Sequence, residues 1–147
     1  MGSYRQIIYH ITFRTKYNIP AIVPEHKREL YKYIWGIIKN KRCILFQING
    51  TENHVHILTD LHPSICLADY MKDIKVASSL WMKQSGKFPE FRGWAESYGA
   101  FTASYRNKQV IINYIKNQEE HHKKVSAERE YIRLLKENGV NYDDRFI

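Results

Sequence analysis

The stretch Cys43-Ile44-Leu45-Phe46-Gln47-Ile48-Asn49-Gly50-Thr51-Glu52-Asn53-His54-Val55-His56-Ile57-Leu58 decides the fold. Cys43 to Ile48 is a short apolar run of strand length, Asn49-Gly50 is a turn signal, and a second run reaches to about Asp60. Together they predict a β-hairpin with a connection longer than two residues. Side chains alternate along a strand, so His54 and His56 share one face, roughly 6–7 Å apart along the backbone. Two imidazoles so placed can share a divalent ion; two polar residues on a half-exposed strand give the same pattern.

Outward from the hairpin, Tyr4 to Thr15 alternates, with Ile7, Tyr9, Ile11 and Phe13 opposite His10, Thr12 and Arg14, which predicts a first strand. Pro24 and Glu25 suit a helix start, and Leu30, Ile34, Ile37 and Ile38 follow at helical spacing. After the hairpin, Ser64 is a candidate N-cap for a helix from Ile65 to about Gln84 that Gly86 ends. Trp94 to Ser104 reads as a fourth strand, in which Gly99 eases a bend or a close approach. A third helix runs from Asn107 to about Lys123, and Ser126 caps a last one carrying Tyr131, Leu134 and Leu135. The order β-α-β-β-α-β predicts an α+β fold, a ferredoxin-like or RRM-like antiparallel sheet with an added tyrosine-bearing helix and a C-terminal helix. The 147 residues fit one domain, with 1–124 as a catalytic core and 125–147 as C-terminal helix and tail.

Lys and Arg outnumber Asp and Glu by 23 to 15, a formal charge of +8, which points to a polyanionic partner. No apolar run approaches the ~20 residues of a membrane span, so no membrane association is expected. The N-terminus has no signal-peptide core, and Gln6 breaks the myristoylation pattern that Gly2 begins. Cys43 and Cys66 form no C-x-x-C pair and are expected as buried free thiols in a reducing cytoplasm.

On the third helix Tyr114 and Gln118 stand four residues apart, on one face distinct from the Ile111/Ile115 stripe. Gln118 offers a third ligand beside His54 and His56, and Tyr114 a hydroxyl nucleophile that would form a phosphotyrosine and free a 3′-hydroxyl. The phenol, with an ordinary pKa near 10, must lose its proton as it attacks. His121 is an alternative ligand or proton acceptor; the His121-His122 pair is otherwise expected in solvent or near phosphate. Arg14, Lys16 and Lys75 are candidate contacts to single-stranded DNA, with a solvated face as the plain alternative for the lysine. There is no Walker-type glycine-rich loop, so no nucleotide cofactor is expected.

Over nearly its whole length the chain resembles the single-tyrosine HUH transposases of the insertion-sequence 200/605 type. The matching segments are Ile11-Thr12-Phe13-Arg14-Thr15-Lys16, Asn53-His54-Val55-His56, Tyr98-Gly99-Ala100-Phe101, Tyr114 through His122, and the Tyr142-Asp143-Asp144-Arg145 tail. The resemblance implies cutting and rejoining of single-stranded DNA through a 5′-phosphotyrosine with Mg²⁺ or Mn²⁺, and recognition of hairpins near element ends. It implies His54, His56 and Gln118 as metal ligands and Tyr114 as nucleophile. It also implies a homodimer in which the tyrosine helix can complete the partner's histidine site, and a bacterial or archaeal, cytoplasmic, nucleoid-associated location. Rival readings are a domesticated palindrome-processing endonuclease of the same type, a non-catalytic RRM-like nucleic-acid-binding module, and a phosphoesterase that uses water.

Overall fold

The computed structural model describes residues 3–147. Its elements follow in the order β1 (Ile8–Thr15), α1 (Lys27–Asn40), β2 (Ile44–Thr51), β3 (His54–Asp60), α2 (Leu67–Ser85), β4 (Trp94–Ala103), α3 (Lys108–Lys116), α4 (Gln118–His121) and α5 (Ala127–Glu137). The sheet runs β2-β3-β1-β4, and every neighbouring pair is antiparallel. This is the α+β, ferredoxin-like arrangement that the sequence predicts.

Strand alternation divides the protein into two layers of contact. Ile11 and Phe13 of β1 and Val55 and Ile57 of β3 point to one face, where they meet Leu30, Ile34 and Ile38 of α1 and Tyr70, Met71, Ile74 and Met82 of α2. Fully burying an aliphatic side chain contributes roughly 1.5–3 kcal/mol, so this face carries most of the driving force for folding. Two of its polar contacts are hydrogen-bonded pairs: Tyr70 Oη lies 2.7 Å from Thr59 Oγ1, and the Trp94 indole N–H donates to Ser78 Oγ at 2.9 Å. Positions 8, 10, 12, 54, 56 and 58 point to the opposite face. There Ile8 and Leu58 pack against Ile115 of α3, and Phe101 of β4 packs against Leu134 and Leu135 of α5. The face that an RRM-like module would leave open for bases is therefore covered by α3 and α5.

Several local expectations shift. The first strand begins at Ile8, four residues later than the alternation suggests. Asn49-Gly50 does not turn the hairpin: Asn49 pairs with His56 and Gly50 with Val55, and the chain reverses through Glu52-Asn53, a two-residue connection. Two local interactions favour this register. The Asn49 side chain donates to the Lys116 carbonyl at 3.0 Å, and Gly50 lets β2 pass close to His54. Ser64 does not cap α2; its hydroxyl sits 2.6 Å from His62 Nδ1, and Cys66, which is exposed, occupies the N-cap position. Gly86 ends α2 in the left-handed region, at φ 72°. The helix expected over 107–123 breaks at Asn117 into α3 and α4.

The close approach at Gly50 has a testable cost. A methyl group there would overlap the His54 carbonyl oxygen, a backbone atom that cannot rotate away. Gly50→Ala is expected to lower stability by about 3 kcal/mol or more, within the range of overpacked or strained sites. Urea unfolding monitored by circular dichroism measures it.

Candidate active site

On the second face the two central strands present three histidines. Thr12 of β1 pairs with His56 of β3, which brings His10 next to the H-x-H pair. His54, His56 and His10 are 3%, 0% and 5% exposed, and Thr12 is buried beside them. The expected common face for His54 and His56 is present, but it is sealed by helices, not half-exposed.

Each imidazole is oriented by its Nδ1. His54 Nδ1 lies 3.0 Å from both Thr51 Oγ1 and Asn53 Oδ1, and His56 Nδ1 lies 2.8 Å from His10 Nε2. His122, from the turn that follows α4, donates from Nδ1 to the Val125 carbonyl at 2.5 Å. The Nε2 atoms of all three therefore point inward, the arrangement by which outer hydrogen bonds fix a ligand histidine.

Helix α3 brings Tyr114 beside this group, with ring centroids 5.9 Å from His56 and 6.1 Å from His10. After the break at Asn117, Gln118 is fully buried, with Oε1 2.9 Å from His54 Nε2 and 3.0 Å from His122 Nε2. All four residues singled out in the sequence, His54, His56, Gln118 and Tyr114, thus meet within one chain. The His121-His122 pair is not a solvated surface feature: His122 packs 4.5 Å from the His54 ring, and His121 packs 5.5 Å from the Tyr114 ring.

Sequence reasoning missed Glu130 of α5. Its carboxylate is 1% exposed and reaches the centre of the group. Oε1 lies 2.7 Å from His56 Nε2, 3.2 Å from His122 Nε2 and 3.4 Å from His54 Nε2. Oε2 accepts from the Tyr114 hydroxyl and, at 3.0 Å, from Gln118 Nε2. A signal did exist: Glu130 and Leu134 are four residues apart, so a carboxylate occupies the apolar stripe of an amphipathic helix, where unpaired charge is rarely found. Gly99 makes this approach possible, because a Cβ there would lie 2.7 Å from Tyr131 Cε1 of α5.

The charges respond to this burial. Burial works to raise the Glu130 pKa, but hydrogen bonds from His122, His54 and His56 outweigh it and hold the carboxyl well below its usual range. Burial pushes His56 down to about 4, against the attraction of Glu130, and pushes His10 down to about 3, with His56 adding to the shift. Burial and then the Glu130 hydrogen bond raise the Tyr114 phenol above its ordinary value; Arg133, whose Nη2 donates to the hydroxyl at 3.0 Å, works the other way.

These shifts set the acid limit of the metal-free protein. Both histidines have folded values below the unfolded 6.5, so as pH falls from about 6.5 towards 4 the unfolded chain takes up protons that the folded chain refuses. Stability present above pH 6.5 is lost through that window, at about 1 kcal/mol per pH unit per histidine. Glu130 extends the loss below about 4.5. Thermal melts in EDTA are expected to show a Tm that is level from pH 7.5 to about 6.5 and then falls as the pH is lowered towards 4.

Of the three candidate DNA contacts, Arg14 pairs with His54 across β1 and β3 and lines a small cavity with it, whereas Lys16 and Lys75 lie farther out. The Arg14 guanidinium carbon is 5.6 Å from the Tyr131 ring centroid, and Lys16 Nζ lies at the same distance from Tyr17. Arg14 and Lys16 border a surface cleft of ≈ 530 Å³ with Trp94, Ser97 and Arg145. Lys75 donates to the Glu96 carbonyl at 2.8 Å, along the β4 edge.

Comparison with known proteins supplies the family. A family model described as "Transposase IS200 like" matches residues 3–118. The chain belongs to the IS200-like transposase family. Membership makes it a DNA-cutting enzyme of the transposase class. It is 28% identical over 120 residues to the transposase for insertion sequence element IS200 of Salmonella typhimurium, covering 78% of each chain. It is 25% identical over 124 residues to the ISDra2 transposase TnpA of Deinococcus radiodurans, covering 80% of this chain and 87% of that one. A crystal structure from Deinococcus radiodurans, of a protein designated a transposase, superposes with a TM-score of 0.63 at 27% identity, covering 80% of this chain and 95% of that one. A REP-associated tyrosine transposase, solved bound to a REP hairpin, shares the fold, with a TM-score of 0.62 at 13% identity over 85% of this chain and 76% of that one. The family match ends at Gln118, so Glu130 lies beyond it. No helix among the described residues is long and apolar enough to cross a membrane.

Proposed function

We propose that this transposase cuts and rejoins single-stranded DNA through a covalent 5′-phosphotyrosine at Tyr114, assisted by Mg²⁺ or Mn²⁺ held by His54, His56 and Gln118. The observation that carries this reading is the packing of Tyr114 against the inward-facing H-x-H pair of its own chain. The donor set suits such an ion: His54 and His56 direct Nε2 inward, Gln118 adds a neutral oxygen, and both imidazoles are braced from behind.

When bound, the ion supplies Lewis-acid stabilisation of the negative charge that builds on the phosphate oxygens. The protein supplies the rest. Tyr114 Oη gives its proton along its hydrogen bond to Glu130 Oε2 and attacks phosphorus. A Tyr–O–P bond forms, the P–O3′ bond breaks, and the departing oxygen takes up a proton from solvent to become the 3′-hydroxyl. Arg133 Nη2, 3.0 Å from Oη, steadies charge developing on the phenol oxygen, and the phenol proton already points at Glu130 Oε2. Burial by α3 and α5 limits attack by water, which would release the strand by hydrolysis instead of storing it for rejoining. The phosphotyrosine conserves the phosphodiester bond energy, so rejoining requires no nucleotide cofactor.

The test is incubation with single-stranded hairpin DNA and Mn²⁺, followed by a denaturing gel. A protein–DNA adduct that EDTA abolishes supports the reading; cleavage without an adduct would point to hydrolysis, and binding alone to a non-catalytic module. Hairpin recognition and a homodimer belong to the same proposal on the sequence resemblance, and contacts from Arg14, Lys16 and Lys75 belong to it on their charge. Mixing Tyr114→Phe and His56→Ala chains tests exchange of the tyrosine helix: adducts return on mixing only if one chain's helix completes its partner's site.

A further inference from the structure

We propose that Glu130 is itself a ligand of the divalent ion, through Oε1, so that α5 completes a donor set that His54, His56 and Gln118 begin. This rests on the reading above that the ion sits at the histidine pair.

Three observations carry the assignment. The first is spacing. An octahedral ion with bonds of about 2.1 Å holds adjacent donor atoms about 3 Å apart. Glu130 Oε1 lies 2.7, 3.2 and 3.4 Å from the Nε2 atoms of His56, His122 and His54, while Gln118 Oε1 lies 2.9 Å from His54 Nε2. The ligand atoms of His54, His56, His122 and Glu130 all fall within 4.8 Å of one another.

The second is charge. Two imidazoles and an amide form a neutral set, whereas Mg²⁺ and Mn²⁺ favour hard, anionic oxygen. Glu130 is the buried carboxylate at the site, and ring nitrogens of His54, His56, His121 and His122 lie within 3.4 Å of its oxygens. A buried anion costs several kcal/mol unless matched by opposite charge, and a divalent ion at the same Nε2 atoms matches it directly.

The third is the division of labour between the two oxygens. Oε1 faces the imidazoles, while Oε2 faces the Tyr114 hydroxyl and the Gln118 amide. Coordination through Oε1 leaves Oε2 in place, so a single carboxylate ties the position of the nucleophile to that of the ion. A residue that merely plugs the site in the absence of metal would compete for the same Nε2 atoms, and its removal would tighten metal binding. The two roles therefore predict opposite signs.

The experiment is isothermal titration of the full chain with Mn²⁺ alone, using wild type, Glu130→Gln, His54→Ala and His56→Ala, with Mn²⁺ spin-resonance spectra of each mixture. Glu130→Gln keeps the size and hydrogen-bonding capacity of the side chain but removes its charge. It is expected to weaken Mn²⁺ at least tenfold and to change the spectrum of the bound ion. Affinity unchanged or raised in Glu130→Gln, with both histidine variants weakened, overturns the role of Glu130 and leaves the histidine site standing. Affinity unchanged in the histidine variants overturns both, since the ion would then lie elsewhere. Should Glu130→Gln fail to fold, anomalous diffraction from crystals of unmodified chain soaked in Mn²⁺ decides. A peak at about 2.2 Å from Glu130 Oε1 is expected; a peak on the histidines with Glu130 turned away contradicts the assignment.

Discussion

Tyr114→Phe is expected to abolish the covalent protein–DNA adduct, with strand cleavage falling by about 10³-fold or more, while Mn²⁺ binding and hairpin binding persist. The substitution removes one oxygen, and with it the only atom of that side chain able to attack phosphorus. The ring remains between His10, His56 and His121, whose centroids lie 6.1, 5.9 and 5.5 Å away, so the packing survives. Glu130 Oε2 keeps the Gln118 amide at 3.0 Å, and Arg133 keeps Glu137 at 3.6 Å. The stability cost should therefore stay near the 1–3 kcal/mol of a lost hydrogen bond to a charged group. A gel combined with Mn²⁺ titration separates the two effects: loss of chemistry with retained metal binding is the signature of a nucleophile.

His56→Ala is expected to lose both chemistry and metal binding, and to be the more damaging change to the fold. Its imidazole is fully buried between His10 Nε2 at 2.8 Å and Glu130 Oε1 at 2.7 Å. Truncation deprives both partners at once and leaves a cavity on a central strand. With its pKa at about 4 the imidazole is neutral at pH 7, so the loss is that of hydrogen bonds to buried partners, about 1–3 kcal/mol each, together with the cavity. Adduct formation should fall below detection even at high Mn²⁺, and the melting temperature of the metal-free protein should drop by several degrees. His56→Ala thus fails by mutilating the site, whereas Tyr114→Phe fails with the site intact; the Mn²⁺ isotherm distinguishes them.

Legibility from sequence followed the range of the interactions involved. The shared face of His54 and His56 is a property of one strand, readable from period-two alternation, and the layer order followed from the succession of strand and helix patterns. The stop at Gly86 and the Ser126 cap, whose side chain accepts from the Arg129 N–H, are also local. Asn49-Gly50 misled because tertiary contacts overrode a local turn preference: the Asn49 amide is held by Lys116 of α3, and the glycine serves close packing against His54, not reversal. Ser64 misled because its hydroxyl found His62 first. Glu130 was hidden because its partners come from β3, α3 and α4, distant in sequence; only its place in the apolar stripe of α5 betrayed it. The break at Asn117 was equally invisible, since Tyr114 through His121 carries no proline or glycine.

Tyr114 is expected to become the site of DNA attachment. This is tested most directly by digesting the trapped adduct with protease and nuclease and locating the nucleotide-modified residue by tandem mass spectrometry. A phosphodiester-linked tyrosine is expected in the peptide that contains Tyr114. Modification of any of the chain's other tyrosines, or cleavage that leaves every tyrosine unmodified, would contradict it.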